Sequence, residues 1–328
     1  MNGTDRPGWC DRSVVRKTIR ALAVGVVGLA GWVPGLAAWA GETITHPFAG
    51  VTHIAREDAR PRPLKMHVLL IDLKTSGLRF RVTPHAGTLD TIKQTTLDFL
   101  KEQNAQLAIN CHFFEPWPAP KPDPGTADLI GLAASDGQVY SPFEAAPPKS
   151  FAIRANAPAL NIDAHNAATI VHRKPDDPTG RSTAEAVTLY NTLAGNAQIL
   201  TRGVHTAGTG SWDRTPRPLT IVGIAPANTL VILIVDGRQP GVSEGLSTRE
   251  AADLLHSDYR VSDAINLDGG GSTTLCMKDP FARVVNVPVG LNDVPGTLRP
   301  VGSNLAIFAP PGKTPPIRAA APAGANPG

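Results

Sequence analysis

Apolar and polar residues alternate over many short stretches of the chain, the pattern expected of strands with one buried face. In residues 78–82, three apolar residues alternate with two arginines. Residues 219–225 and 230–235 are apolar almost throughout, as expected for central strands covered on both faces. Asp136-Gly137 separates two such runs and predicts a tight hairpin. These patterns predict about a dozen short strands.

Two helices are predicted among these strands. Residues 89–100 place their apolar side chains on one helical face, with Asp90 or Thr91 as a candidate N-cap. The second helix begins with a capping box in which Ser247 and Glu250 are three residues apart. Together the elements predict an α+β fold, a single domain of many short, mostly central β-strands with a few helices.

The N-terminal 40 residues have the pattern of a signal peptide. Four basic residues between positions 12 and 20 precede an apolar stretch at residues 21–36, and Ala38-Trp39-Ala40 is a typical cleavage sequence. An uncleaved membrane anchor is the alternative, since the apolar stretch approaches the length of a membrane span. We therefore expect an exported protein, periplasmic or secreted, with no stable membrane insertion after signal cleavage.

The rest of the chain divides into three segments. Residues 41–63 are predicted to be a polar N-terminal segment with little periodicity, and residues 64–309 the folded domain. Residues 310–328 are dominated by Pro, Ala and Gly, which predicts a disordered tail because such a composition buries little apolar surface.

Composition and charge exclude some function classes. The 328 residues are 42% hydrophobic with a net charge of +3, and no basic stripe with interleaved aromatic residues indicates a nucleic-acid partner. Because the H-E-x-x-H and C-x-x-C motifs do not occur, no cofactor is expected. A divalent cation held by Asp236, Asp268 and carbonyl oxygens remains the alternative. Cys111 and Cys276 are either a disulfide or two buried free thiols.

The stretch at residues 263–275, DAINLDGGGSTTL, indicates a functional site. An apolar run ends in Asp268, three consecutive glycines follow, and hydroxyl side chains come next. Successive N–H groups in such a turn can bind an anion, and hydroxyls can donate to phosphate or sugar oxygens. A plain turn capped by an aspartate is the simpler alternative. The candidate substrate-binding residues are Gly269, Gly270, Gly271, Ser272 and Thr273.

Carboxylates also follow other strand-like runs. Asp236 and Asp268 each end an apolar run and precede a glycine, and Glu115 ends a third run. A glycosidase needs at least two carboxyl groups, because one protonates the leaving oxygen while the other attacks the sugar or activates water. All three are therefore catalytic candidates, although a lone Asp-Gly is more often a plain turn. Three arginines are candidates for neutralising a phosphate, namely Arg217, Arg238 and Arg299.

The order of these motifs resembles the phosphodiester glycosidase family. NLDGGGSTTL is similar to the most specific motif of that family, and Asn110 with Phe113-Phe114 resembles its Asn-Gly-Gly-Phe-Phe element. The resemblance covers residues 64–308, and its other matching segments are residues 191–203, 217–223, 235–238, 245–247 and Arg299.

The resemblance implies a hydrolase that cleaves a sugar linked through its anomeric carbon to a phosphodiester. The implied substrate is a sugar phosphodiester or glycan of envelope or exopolysaccharide metabolism. Asp268 and Asp236 would act as acid/base or nucleophile. Substrate contacts would come from Asn110, Arg238 and the turn that follows Asp268.

One departure from the family pattern is Cys111-His112, which stands where the family usually has Gly-Gly. Positive φ is disfavoured for these residues, so we expect a reshaped loop in which His112 is a candidate substrate contact. Two further hypotheses stay open, the first of them because of this change. One is a noncatalytic glycan-binding protein in envelope assembly, and the other is a metal-dependent phosphodiesterase.

Overall fold

The computed structural model describes residues 41–116, 125–146 and 153–312. The predicted signal peptide and residues 313–328 of the predicted tail lie outside the described residues. The described part forms 21 strands and three α-helices, and the strands pair antiparallel, so the fold is α+β.

The helices are α1 (Thr96–Gln103), α2 (Ser211–Arg214) and α3 (Thr248–Tyr259). The strands are β1 (Gly41–Phe48), β2 (Val51–Asp58), β3 (Leu64–Asp72), β4 (Arg79–Val82), β5 (Thr91–Ile92), β6 (Leu107–Asn110), β7 (Phe114–Glu115), β8 (Thr126–Leu129), β9 (Ala133–Ser135), β10 (Gln138–Ser141), β11 (Ala159–Ile162), β12 (Ala168–Val171), β13 (Asn191–Ala194), β14 (Ala197–Thr201), β15 (Val204–His205), β16 (Leu219–Ala225), β17 (Thr229–Val235), β18 (Asp263–Asn266), β19 (Leu275–Lys278), β20 (Ala282–Val284) and β21 (Asn304–Phe308).

The largest sheet has eight strands in the order β1-β2-β3-β17-β16-β18-β14-β15. Strands β16 and β17 lie at its centre, with Ile221 opposite Leu233. Both strands are apolar along almost their whole length because both faces of the sheet are covered, as their sequences predict.

A second sheet, in the order β20-β19-β6-β21-β4, packs face to face with the largest sheet. Their shared core contains Ile232 and Ile265 from the largest sheet and Ile109 and Leu305 from the second. A third sheet, in the order β10-β9-β13-β11-β12, adds Leu193 and its neighbours to the same core. Three short strands, β5, β8 and β7, form the smallest sheet.

Two helices cover the outer faces of the two packed sheets. Helix α3 buries Ala251, Ala252 and Leu255 against the largest sheet, and α1 buries Phe99 and Leu100 against the second sheet. The layers therefore follow the order α3, largest sheet, second sheet, α1. Within the described residues, no helix combines the length and apolar character needed to cross a membrane.

The capping box predicted for α3 is confirmed. The Ser247 hydroxyl accepts a hydrogen bond from the Glu250 N–H, and the Glu250 carboxylate accepts from the Ser247 N–H at 2.8 Å. The predicted hairpin at Asp136-Gly137 is also confirmed, with both residues at positive φ between β9 and β10.

The helix predicted over residues 89–100 is corrected by the structure. Thr91–Ile92 is strand β5, which pairs with β8, and α1 begins only at Thr96 with Thr95 as its N-cap. Asp90 does not cap a helix, because its carboxylate accepts from the Leu129 N–H at 2.9 Å and so anchors β8. A tertiary strand pairing here overrides the local helical pattern.

The segment at residues 41–63 is also corrected, since it supplies two strands to the largest sheet. Strand β1 pairs with β2, and β2 pairs with β3 over its full length. Strand β1 is an edge strand whose residues are mostly exposed, so its sequence lacks the alternation by which a half-buried strand is recognised.

Cys111 and Cys276 are two buried free thiols, so the disulfide alternative is wrong. Cys111 faces the core between the two sheets, whereas Cys276 faces α1 on the opposite side of the second sheet. Side chains on opposite faces of one sheet point apart and cannot be bridged. Burial raises the pKa of the Cys276 thiol to about 12 and that of Cys111 still further, which disfavours a reactive thiolate at either position.

Candidate active site

The candidate site lies where three strands of the largest sheet reach the same edge. Strand β16 runs antiparallel to both β17 and β18, so its beginning lies beside the ends of its two neighbours. Asp236 follows β17 and Asp268 closely follows β18, one on each side of Arg217-Pro218. A Cβ on Gly269 would lie 2.8 Å from the Pro218 carbonyl oxygen, so this close approach requires glycine.

The glycine turn after Asp268 is a short 3₁₀ segment, Gly270–Ser272, packed beneath the loop at residues 285–299. A Cβ on Gly271 would lie 1.6 Å from the Gly290 carbonyl oxygen, which leaves no room for any other residue. The loop therefore covers the turn directly, and the third consecutive glycine has a steric cause.

The Asp268 carboxylate is buried and held by three groups. It accepts hydrogen bonds from the Ser272 hydroxyl and from the Gly269 N–H, and the Arg299 Nη2 lies 3.7 Å from its Oδ2. Burial raises the pKa of Asp268, while the Arg299 charge, the two hydrogen bonds and the Arg238 charge oppose that rise. The result is a fixed carboxyl group whose pKa is displaced upward.

Arg299 and Ser272 form the support of Asp268. The Arg299 guanidinium donates to the Ser272 hydroxyl, through Nε at 2.9 Å and also through Nη2, and that hydroxyl in turn donates to Asp268. Burial lowers the pKa of Arg299, and the Asp268 charge opposes this. Both residues touch the Asp268 carboxylate, and their predicted contact with substrate stays a prediction.

Two further guanidinium groups lie near the turn. Arg238 is half-exposed, packs over Gly270 and forms an ion pair with Asp293 at 3.0 Å. Arg217 is buried over the Trp212 ring, 3.8 Å from its centroid, and burial lowers its pKa to about 10. The Arg238 charge also lowers the pKa of Arg217, so these cations are electrostatically coupled.

Two buried polar atoms here have no hydrogen-bond partner among the described residues: the Arg217 Nη2 and the Thr273 hydroxyl. The Arg217 Nη1 donates to the Thr215 carbonyl at 2.9 Å, so only one nitrogen of that end is engaged. Buried donors without partners are costly and rare, and they are typical of a site that receives a polar ligand.

Asp236 has different surroundings from those expected of a catalytic group. Its Oδ1 accepts from the Asn286 side-chain amide at 2.9 Å and from the Val287 N–H at 3.0 Å, and its Oδ2 lies 3.1 Å from the same N–H. Burial raises the pKa of Asp236, and these hydrogen bonds oppose the rise. Both oxygens anchor the start of the loop at residues 285–299, so the geometry favours a positioning role.

Asn110 is part of the scaffold, which corrects its predicted contact with substrate. Its amide nitrogen donates to the Asp268 carbonyl at 2.6 Å. Its oxygen accepts from the Thr220 hydroxyl at 2.8 Å and from the Thr274 N–H at 3.1 Å. Asn110 thus joins β6, β16 and both ends of the glycine turn while it is completely buried.

His112 lies in the core, so the prediction that it contacts substrate is wrong. Its Nδ1 is 2.7 Å from the Ser303 hydroxyl, and its Nε2 accepts from the Ala194 N–H at 2.9 Å. Burial lowers the pKa of His112 to about 4, so the ring is neutral at pH 7. Because both ring nitrogens bond to the protein, neither is available to a ligand.

Glu115 is not brought to the site by any contact of the described residues. It is exposed on β7 of the smallest sheet, opposite Asp128 on β8. Burial and Asp90 raise the pKa of Asp128, and the Glu115 charge adds to that rise. The structure therefore gives no support to a catalytic role for Glu115.

Sequence reasoning missed three residues that shape the site: Asn286, Gly290 and Asp293. Asn286 holds Asp236 and the Thr273 carbonyl, Gly290 covers Gly271, and Asp293 pairs with Arg238. The only local signal was a turn-rich run, VPVGLNDVPG, at residues 287–296. Among the residues that the structure describes, no group of three or more His, Cys, Asp or Glu side chains is arranged to hold a metal ion.

Fold and site together define an α+β protein of packed antiparallel sheets with a supported carboxylate and a cluster of guanidinium groups at one sheet edge. A sequence model of the phosphodiester glycosidase family matches residues 103–308, which is more than half of the chain. The chain therefore belongs to the phosphodiester glycosidase family.

Solved structures of three relatives share the fold. The catalytic domain of zebrafish N-acetylglucosamine-1-phosphodiester α-N-acetylglucosaminidase, auto-inhibited by its pro-peptide, is 17% identical with a TM-score of 0.54, covering 82% of each chain. A putative exported protein of Burkholderia pseudomallei is 17% identical with a TM-score of 0.55, covering 77% of this chain and 75% of that one.

The third relative is a hypothetical protein from Synechocystis, with 12% identity and a TM-score of 0.57. The match covers 82% of this chain but 64% of that protein. A search of the curated proteins finds no match to this chain. At these identities the solved structures show a common fold.

Proposed function

We propose that this protein is an exported hydrolase that cleaves the bond between the anomeric carbon of a sugar and the oxygen of a phosphodiester. The observation that carries the proposal is the Asp268 carboxyl group. It is fixed by Ser272 and Arg299 in a buried turn, with one further guanidinium group, that of Arg238, close enough to lower its pKa. Membership of the phosphodiester glycosidase family supports the same reaction class.

The reaction adds water across one bond. The C–O bond between the anomeric carbon and the bridging phosphate oxygen breaks, the hydroxyl of water goes to carbon, and its proton goes to the departing phosphate oxygen. The products are a free sugar and a phosphate monoester. A carboxyl group that is held in place and whose pKa is raised by burial is suited to move that proton, which is the role that we assign to Asp268.

Phosphate binding falls to the arginines in this proposal. Negative charge builds up on the phosphate as the C–O bond breaks, and preorganised cations near that charge lower the barrier. Arg238 faces solvent over Gly270, and Arg217 has one buried nitrogen without a partner among the described residues, so both are suited to meet phosphate oxygens. Arg299 instead keeps Asp268 in position.

The proposal also includes export and a role in envelope or exopolysaccharide glycan metabolism. Its support is the signal-peptide pattern of residues 1–40 and the fold shared with a putative exported protein. Fractionation of cells that express the full chain tests export, since the cleaved protein is expected outside the cytoplasm.

The reaction is tested with purified protein and a panel of sugar-1-phosphodiesters and nucleotide sugars, each with and without a chelator. Free sugar released in the presence of chelator is the expected result. Sugar phosphate released only with added metal would instead indicate a metal-dependent phosphodiesterase. Binding of panel members without any product would favour a noncatalytic glycan-binding protein.

A further inference from the structure

Four large apolar side chains are exposed on the two loops that surround Arg238. Val242 is 49% exposed on the turn after Arg238, and Val287, Leu291 and Val294 are 38%, 47% and 50% exposed on the loop at residues 285–299. The other exposed large apolar residues of the described chain lie outside these two loops: Ile44, Leu89, Ile92, Val204 and Phe281. We call the group of four the apolar rim.

Contacts between the two loops hold the apolar rim together. The Gln239 side-chain amide donates to the Val287 carbonyl at 3.0 Å, and the Gln239 and Ser243 backbones pair to close the turn that carries Val242. Asp293, between Leu291 and Val294, binds Arg238 at 3.0 Å. The two loops that carry the rim are therefore tied to each other and to the guanidinium group proposed to bind phosphate.

The Arg238–Asp293 ion pair is weak enough for a ligand to replace the Asp293 carboxylate. Both side chains are half-exposed, at 40% and 54%, and exposed ion pairs are weak. The two non-bridging oxygens of a phosphodiester offer the guanidinium the same bidentate acceptor pair as a carboxylate, so a ligand phosphate can replace Asp293 at little cost.

The two ends of a bound phosphodiester then face different surroundings. The sugar has to reach Asp268, which is buried behind the turn, so the second ester oxygen points outward past Arg238. The outward group therefore meets the apolar rim. A clustered apolar patch beside a phosphate-binding cation is complementary to an amphiphile whose apolar chain begins at the phosphate.

We propose that the apolar rim is the binding site for the aglycone, and that the substrate is a glycosyl phosphate ester of a long-chain apolar alcohol. The inference rests on the proposed function and adds the chemical class of the leaving group. Burial of each methylene on the rim is expected to strengthen binding by about two- to fourfold until the rim is covered.

The test measures kcat/KM for release of free sugar from methyl, butyl and octyl esters of one sugar 1-phosphate, with a nucleoside ester as the polar comparison. Octyl and butyl esters are used below their aggregation concentrations. We expect kcat/KM to rise at least about tenfold from methyl to octyl. In the double variant Leu291→Ser, Val294→Ser this octyl-to-methyl ratio is expected to fall to near one.

Val204→Ser is the matched control, because Val204 is an exposed apolar residue on β15, outside the rim. It is expected to keep the full octyl-to-methyl ratio. Equal kcat/KM for all alkyl esters, a preference for the nucleoside ester, or an unchanged ratio in the double variant would each overturn the apolar aglycone while the glycosidase stands. Failure of every ester to release free sugar would instead overturn the proposed function and this inference with it.

Discussion

Asp236 and Asp268 have nearly the same local sequence, yet the fold surrounds them differently. Both follow strands that flank β16, and both precede a glycine. The Asp236 oxygens are engaged by the Asn286 amide and the Val287 N–H, whereas Asp268 is held by Ser272, Arg299 and the Gly269 N–H. The first arrangement anchors a loop, and the second prepares a carboxyl group beside cations. The role of an aspartate at the end of a strand is therefore set by residues that are distant from it in the sequence.

The largest effect is expected from Asp268→Asn. The amide cannot exchange a proton as a carboxyl group does, so kcat should fall about 10³-fold. Melting temperature should fall by only a few degrees, because the neutral side chain is less costly to bury and Arg299 keeps its bonds to Ser272. Free-sugar release and thermal unfolding check the two expectations. Turnover close to that of the original protein would remove Asp268 from the mechanism.

A smaller loss is expected from Arg299→Gln, about 10²-fold in kcat, because Asp268 loses its nearest cation. Since the Arg299 charge lowers the pKa of Asp268, its removal should move the limb of the pH–rate profile governed by Asp268 to higher pH. Arg299→Lys keeps the charge and should restore part of the original profile. A profile that does not move in Arg299→Gln would show that Arg299 has only a structural role.

Asp236→Asn tests whether Asp236 positions the loop at residues 285–299 or takes part in catalysis. We expect kcat to change less than about tenfold, while unfolding free energy falls by about 2 kcal/mol because charge-assisted hydrogen bonds to Asn286 and Val287 weaken. Chemical denaturation and free-sugar release, measured on the same preparation, separate the two effects. A loss of kcat as large as in Asp268→Asn would place both carboxylates in catalysis.

The smallest effect concerns stability and pH. Burial lowers the pKa of His112 from 6.5 to about 4, so between these values the unfolded chain binds more protons and stability falls as pH falls. From pH 7 to pH 5, His112 should account for about 2 kcal/mol of this loss. The difference in pH dependence between the original protein and His112→Gln, measured by urea unfolding, isolates this share from that of His67. Parallel stability curves for the two proteins would contradict the buried neutral ring.

The features that sequence could predict have local causes. The alternation of apolar and polar residues predicts many of the strands, and the spacing of Ser247 and Glu250 predicts the start of α3. The three glycines after Asp268 predict a turn, which the structure shows as the 3₁₀ segment Gly270–Ser272. The edge strand β1 was not predicted, because an exposed strand lacks the apolar pattern of a half-buried one. Residues 91–92 were predicted as part of a helix but form a strand, because β8 pairs with them.

The features that escaped prediction depend on contacts between distant residues. The partners of His112 are Ser303, Leu132 and Ala194, and no local pattern indicates that these atoms surround the ring. Likewise, Gly290 meets Gly271 and Asp293 meets Arg238 only after the loop at residues 285–299 folds over the turn. Burial and pairing of polar groups are therefore the part of the site that sequence leaves undetermined.

Hydrolysis of a sugar-1-phosphodiester in water enriched in ¹⁸O shows whether this protein breaks the bond to the anomeric carbon or the bond to phosphorus. Mass spectrometry of the phosphate monoester shows which bond breaks, because its oxygens do not exchange with water on this timescale, unlike the anomeric oxygen of a free sugar. Attack at the anomeric carbon predicts an unlabelled phosphate monoester together with free sugar. Label in the phosphate would show that water attacks phosphorus, and would contradict the assignment of this protein as a glycosidase.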